Sequence, residues 1–461
     1  MRALPTDPAL PHLAHALDPQ AMAQTFADLL GGLSVCACEV DRVKYRPRRN
    51  CSVSYRLQLR DPHDGREFEQ RVAARFCSGG DAQRRHRQAL LRPTVASAAG
   101  PALSHFAELD MLAHWQPNDP KLAALALLCD DAELRRRCLP EVAAALTGGR
   151  GRLVGHTTTL VQVVPELRVC ARVELQVQAD PRAPVRTHTL FAKADVERSG
   201  AATHALMQGL HLSPAQARGA LNTPRPLLWQ EHTGLHWQCA VAGRVLADHE
   251  PGVGPAVSER IGAQLAALHA TPGVALPCIG LDGLRAQVQR CAALLSTVEP
   301  RWQPLLARLA ARLDAGAAAL AAEPAATLHG DLHPRNILVD GERLSFIDLD
   351  GVHTGPAVFE LGAWLADTLY RAVLDAAAPW RAAAGCHAFL EAHAMASGRA
   401  ADGALLAWST AHDLLCKRAW RCVANLKPGR FELVPQLLAL ADAIAAAGRV
   451  DVVLTQQQEA A

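Results

Sequence analysis

The sequence predicts an α+β chain in which strand-rich units come first, a short hairpin follows, and the C-terminal part is helical. Three observations predict it. Residues 40–59, 68–76, 163–177 and 190–194 carry the apolar alternation of half-buried strands. Beyond Ala357 the apolar residues return at helical spacing. Between these regions a polar loop, His329 to Asn336, runs into an apolar strand, turns at Asp340-Gly341, and returns to Asp348-Leu349-Asp350.

A chain of 461 residues exceeds one ordinary domain, so two or three compact units are expected. Half of the residues are apolar and 20% are charged, which excludes a mostly disordered protein. A formal charge of +2, without a long basic run, argues against a nucleic-acid partner. The 13 cysteines form no CxxC pair, which disfavours a disulfide scaffold or zinc ribbon and points to a reducing, cytoplasmic setting. The N-terminal stretch carries acidic residues and prolines where a signal peptide has an apolar core. The Ala311–Ala326 run is broken by Asp314, Glu323 and Pro324, so no membrane span is expected.

In chain order, Asp18-Pro19 opens a helix to Leu30. Strands follow over Val40–Leu59, with a turn at Arg46-Pro47-Arg48, and over Phe68–Phe76; Gly79-Gly80 then leads into an Arg-rich helix. Leu103–Leu146 reads as helical, interrupted at Pro117-Asn118-Asp119-Pro120, and Gly148–Gly151 reads as a linker. Strands return over Val163–Val177, Leu190–Ala194 and His236–Val241. Helices are expected over Pro255–Ala270, Gln287–Ala322, Ala357–Val373, Trp380–Ala394, Ala404–Asn425 and Val434–Ala447.

The second strand block echoes the first at an offset of 118: Pro47 matches Pro165, Ala74 matches Ala192, His86 matches His204, and Arg75 falls opposite Lys193. A duplication and two unrelated α+β units both satisfy this pattern. The expected division is an N-terminal α+β cap over 1–150, which a duplication would make a degenerate copy of the next unit, then 151–241, then a helical part over 242–461.

The hairpin brings Asp331, Asn336 and Asp348 to one end. Phosphoryl transfer needs such a set: one carboxylate facing the attacking hydroxyl, and an Asn with an Asp to hold magnesium on the phosphates. The five-residue step from Asp331 to Asn336 is the spacing of a kinase-type catalytic loop. Read instead as zinc ligands, His329, Asp331 and His333 would come from one tight loop without a distant fourth. A metallophosphatase reading lacks its Gly-Asn-His.

The stretches HGDLHPRNILVD, FIDLD and GPAVFELGAWLAD, with the hinge-like LHWQCAVAGRVL, resemble the aminoglycoside phosphotransferase and choline kinase-like family. The resemblance implies a protein-kinase-like two-lobed fold: a small strand-rich N-lobe and a mainly helical C-lobe, here with an extra N-terminal α+β region. It implies transfer of the γ-phosphate of ATP to a hydroxyl of a small molecule, of aminoglycoside, sugar or amino-alcohol type, with Mg2+. Asp331 would be catalytic, Lys193 would contact the α and β phosphates, and Asn336 and Asp348 would hold magnesium, with Asp350 a further candidate ligand.

The sequence departs from the pattern in three places. The segment Gly200–Gly219 lacks the acidic residue that would pair with Lys193, and no G-x-G-x-x-G loop is present, so the Pro165-Glu166-Leu167-Arg168 turn is the expected nucleotide cover. Glu360-Leu361 stands where the family often has Asp-Leu. A catalytically weak nucleotide-binding regulatory or scaffold protein of the same fold is therefore the alternative. The acceptor is left open between a cation, which wants free carboxylates, and a neutral sugar, which wants amides and an aromatic platform.

Overall fold

In the computed structural model, which describes residues 4–149, 151–180, 182–248, 254–272 and 280–455, helix α1 (Leu13–Ala16) leads into α2 (Pro19–Leu30). Asp18 caps α2 by accepting from the amides of Gln20 and Ala21, and Pro19 fills a first-turn position where no amide is needed. The chain then forms an antiparallel meander of β1 (Ser34–Arg46), β2 (Asn50–Arg60) and β3 (Glu67–Cys77), followed by α3 (Asp81–Ala89). Alternation buries Cys51, Val53, Tyr55, Leu57 and Leu59 on one face, where Tyr55 meets the ring of Phe26 from α2.

The helical reading of Leu103 onward fails over its first part. Leu103–Phe106 and Met111–Trp115 are strands, β4 and β5, and β5 pairs with the open edge of β3. Short apolar runs do not distinguish helix from strand by periodicity, and here an unpaired neighbouring strand decides. Helices α4 (Ala123–Leu128), α5 (Asp131–Arg137) and α6 (Leu139–Thr147) follow; their Leu134 and Val142 share a core with Val173 and Leu175 of the second sheet. Arg150, in the expected linker, lies outside the described residues.

The second sheet is built from β6 (Arg152–Val164), β7 (Arg168–Gln178) and β8 (Val185–Asp195), then, after α7 (Gly200–His211) and α8 (Pro214–Ala217), from β9 (Pro226–Gln230) and β10 (Leu235–Cys239). Its order, β6-β7-β8-β10-β9, matches the β1-β2-β3-β5-β4 order of the first. Arg152, Arg168 and Val185 start their strands 118 residues after Ser34, Asn50 and Glu67. The register shift at Val35/Ala37 returns at the same offset at Leu153/Gly155, and the one at Val40/Arg42 returns two residues later, at Leu160/Gln162.

The helical part starts with β11 (Arg244–Val245) and α9 (Pro255–His269), then α10 (Leu281–Val298) and α11 (Gln303–Gly316), split at Glu299-Pro300 where one longer helix was expected. Next come β12 (Ala325–Leu328), β13 (Ile337–Asp340), β14 (Arg343–Phe346) and β15 (His353–Pro356); β13 pairs with β11 and β14, and β12 with β15. Helices α12 (Ala357–Leu374), α13 (Ala383–Ser397), α14 (Gly403–Asp413), α15 (Trp420–Ala424), α16 (Val434–Ala447) and α17 (Asp451–Leu454) complete the chain, with a π-helical turn, Leu414–Ala419, joining α14 to α15. A Cβ at Gly362 would lie 2.5 Å from that of Ser409, so glycine is what lets α12 approach α14. Among the described residues no helix is long and apolar enough to cross a membrane. The protein thus has the expected two-lobed, protein-kinase-like fold with an extra α+β region at its N-terminus.

Candidate active site

The loop after β12 turns on Gly330, whose φ is 82° and where a Cβ would meet the Gly351 carbonyl at 2.2 Å. Glu360, in the first turn of α12, holds this loop: its two carboxylate oxygens accept from the amides of His329 and Gly330, each at 2.8 Å. Burial opposes the charge on Glu360, but the His269 hydrogen bond and the nearby amides keep its pKa below the usual value. His269 Nε2 lies 3.1 Å from the Glu360 carboxylate, and its Nδ1 lies 3.0 Å from Nε2 of His393. The longer Glu side chain therefore still orders the loop.

Asn336 donates from Nδ2 to the Asp331 carbonyl at 2.9 Å, and its own carbonyl accepts from the Ile347 amide at 2.9 Å, tying the loop to the end of the returning strand. Asp348 follows in left-handed conformation, φ 62°, which the short polar side chain of Asp tolerates better than most residues do.

From the opposite lobe, β8 brings Lys193 Nζ to 2.7 Å from Asp348 and 3.1 Å from both oxygens of Asp350. The acidic partner missing from α7 is thus supplied by the carboxylates across the cleft. Burial would lower the Lys193 pKa, but Asp350 and Asp348 raise it above the ordinary value. Asp348 is lowered: burial opposes its charge, and Lys193 outweighs burial. Asp350 is raised by burial, with Asp348 beside it.

Asp331 has different neighbours. Lys417 Nζ, on the π-helical turn, is 2.7 Å from Asp331 Oδ1; Arg421 is 3.7 Å away, and His333 lies 3.8 Å from Oδ2. Burial opposes the charge of Asp331, yet the neighbouring His333 and the two cations hold it far below the carboxylate range. The turn is fixed by Arg418, buried beside Lys417, which donates to Asp413 at 2.7 Å and Asp367 at 2.8 Å.

The structure therefore brings Lys193, Asp348 and Asp350 into one contact set and ties Asp331 to Asn336 next to it. Sequence reasoning gave no role to Lys417, Arg421 or the His269–His393 pair; the rarity of lysine was the one available signal for Lys417. One nitrogen of each ring is already engaged: His329 Nε2 donates to the Ile347 carbonyl at 2.9 Å and His333 Nδ1 accepts from the Arg335 amide at 3.2 Å. Among the described residues no group of three His, Cys, Asp or Glu could hold a metal alone. Asn336, Asp348 and Asp350 offer oxygen donors only, a set that fits a hard cation sharing its shell with phosphates.

Two cavities flank these carboxylates. A cleft of about 1200 Å³ runs between the second sheet and β13, past Lys193 and the connection after β10. A second, of about 480 Å³, lies between Asp331 and the turn bearing Lys417. Arg168, Asp348 and Asp350 line both.

Fold and site together define a two-lobed, kinase-like architecture of the phosphotransferase class. Residues 188–401 match the model of the phosphotransferase enzyme family, in line with the resemblance the motifs carried. The match spans Lys193 and the Asp331–Asn336 loop, and ends before Lys417 and Arg421. No curated protein matches the chain. Among solved structures, a thermostable mutant of aminoglycoside phosphotransferase APH(4)-Ia is similar at 14% identity, covering 67% of this chain and 99% of that one, with TM-score 0.45. A choline/ethanolamine kinase family protein from Mesorhizobium loti is similar at 15% identity, 64% and 92% coverage and TM-score 0.41. APH(3'')-Id from Streptomyces rimosus is similar at 20% identity, 60% and 98% coverage and TM-score 0.37.

Proposed function

We propose that the protein is an ATP-dependent phosphotransferase that moves the γ-phosphate to a hydroxyl of a small molecule. The observation that carries this reading is the meeting of the two cavities at Arg168, Asp348 and Asp350, beside Lys193 and Asp331. The larger cleft takes the nucleotide, with Lys193 on its phosphates; the smaller takes the acceptor. Asn336 and Asp348, with Asp350 beside them, would hold magnesium, which neutralises charge on the phosphates when bound. Asp331 orients the acceptor hydroxyl. The acceptor oxygen forms a bond to the γ phosphorus, the bond to the β–γ bridging oxygen breaks, ADP leaves with that electron pair, and the hydroxyl proton passes to Asp331 and on to solvent. Because its cations keep Asp331 ionised, its contribution is chiefly placement of the nucleophile.

In this reading the first sheet is a degenerate copy of the nucleotide-binding lobe, and the helical lobe starts near 242. The core that α4–α6 share with the second sheet supports moving the boundary between the copies from 150 to near Pro117–Pro120. The protein acts in the cytoplasm, without a nucleic-acid or membrane partner.

The test is magnesium-dependent ADP formation across a panel of hydroxylated small molecules. Acceptor-dependent turnover that disappears in Asp331→Ala is expected. Tight nucleotide binding without turnover on any acceptor would favour the regulatory alternative instead.

A further inference from the structure

We infer that the acceptor is an anionic hydroxyl compound, one bearing a carboxylate or phosphate group that Lys417 and Arg421 receive. This rests on the reading of Asp331 as the catalytic carboxylate. A cationic acceptor needs free carboxylates, and among the described residues the second cavity offers none outside the catalytic and metal set. Glu360 is committed to two backbone amides, and Asp413 accepts from the buried guanidinium of Arg418.

The cations are placed differently. Lys417 and Arg421 line the acceptor cavity and not the nucleotide cleft, so they face the second substrate and not the nucleotide. Among the described residues the Arg421 guanidinium has no hydrogen-bond partner; its ion pair to Asp331 is long, at 3.7 Å, and its side chain is 49% exposed. Its planar fork suits a bidentate oxyanion. The π-helical turn is the device that presents Lys417, because the extra residue per turn lets Arg418 face the core while Lys417 faces the cavity.

A second, independent feature marks the cavity as built for a polar ligand. Ser409, 3% exposed, has a buried Oγ without a hydrogen-bond partner in the same cavity wall, and Nε2 of His412 is likewise unpartnered. Burial lowers the His412 pKa to about 4, so the ring is neutral near pH 7. A hydroxylated acceptor would lie along the wall that Ser409 and His412 help to form while its anionic end meets Arg421 and Lys417.

The experiment is calorimetric titration of the full chain, with magnesium and AMP-PNP present, using D-gluconate and glycerol 3-phosphate as anionic probes, myo-inositol as neutral and choline as cationic. The two anionic probes separate carboxylate from phosphate recognition. At least one anion is expected to bind more tightly than myo-inositol and choline, and Arg421→Gln and Lys417→Met are each expected to weaken it about 10-fold or more. Arg421→Glu, at a half-exposed position, is expected to shift preference towards choline. Tighter binding of choline or myo-inositol, no anion binding, or anion binding unchanged in Arg421→Gln would each overturn the assignment. Failure to bind AMP-PNP would overturn the phosphotransferase reading instead, and the anion titrations repeated without nucleotide then judge the cavity by itself.

Discussion

Arg75 closes a 2.5 Å ion pair with Glu166, so the first sheet grips the turn that roofs the cleft of the second. Arg75 occupies on β3 the place of Lys193 on β8: it pairs with Ser52 as Lys193 pairs with Cys170. Lys121 adds a second contact to Glu166 at 3.0 Å, and the Asp119 carboxylate accepts from the Glu166 amide at 2.8 Å. Burial opposes the charge on Glu166, but Arg75 and Lys121 keep its pKa below the usual value. The position that carries Lys193 on β8 thus carries on β3 a residue that braces the turn between β6 and β7.

If the turn covers ATP, loosening it should weaken nucleotide binding without touching the chemistry. Arg75→Ala and Glu166→Gln are each expected to raise the KM for ATP about 3- to 10-fold with kcat nearly unchanged. A double-mutant cycle should give a coupling of roughly 1 kcal/mol for this partly buried pair. A change in thermal stability with KM unmoved would reduce the pair to a structural tie.

Asp331 lines the acceptor cavity and not the nucleotide cleft. Asp331→Ala is therefore expected to lower turnover by about 10³-fold or more while leaving AMP-PNP affinity within about 2-fold, read by steady-state kinetics and calorimetry. Asp348→Asn should do the reverse: nucleotide affinity should fall in the presence of magnesium and change little in its absence.

Glu360 sets the loop from beneath, and its substitution separates positioning from chemistry. Glu360→Gln replaces one of two amide-accepting oxygens by a donor, leaving a buried N–H facing an N–H. A loss of about 1–3 kcal/mol in stability is expected, with kcat reduced about 10-fold and the KM for ATP little changed. Full kcat with reduced stability would show that the loop keeps its shape without this support.

The parts of this site that could be read from the sequence are those set by local spacing. Asp331, Asn336 and Asp348 lie on one hairpin, so their order along the chain fixes their meeting. The duplicated strands were visible because period-two alternation and the Pro47/Pro165 turns repeat at one offset. The β4 and β5 strands were hidden, because their state depends on the open edge of β3 and not on their own pattern. Lys417 was hidden for a different reason. Its approach to Asp331 depends on a π-helical turn locked by Arg418 against Asp367 and Asp413, a tertiary arrangement that no residue spacing encodes.

His393 makes stability depend on acidity. It is 5% exposed and faces His269 from α9 and, beyond it, Glu360 from α12. The carboxylate of Glu360 only accepts, so His269 donates to it from Nε2, while its Nδ1 shares a hydrogen bond with Nε2 of His393. Burial and the neighbouring His269 lower the His393 pKa to about 4. Because the folded value lies below the ordinary 6.5, the stabilisation is complete above about pH 6.5 and is lost as pH falls towards 4. The full contribution is about 3 kcal/mol at most. His236 and His412, also lowered, to about 3 and about 4, add to the same acid limb. His393→Gln keeps a donor towards His269 but cannot titrate. Chemical denaturation at closely spaced pH values should therefore show a shallower loss of stability between pH 6.5 and 4 in this variant, with the limb remaining from the other two histidines. An unchanged slope would mean that His393 is no more protonated in the unfolded chain than in the folded one.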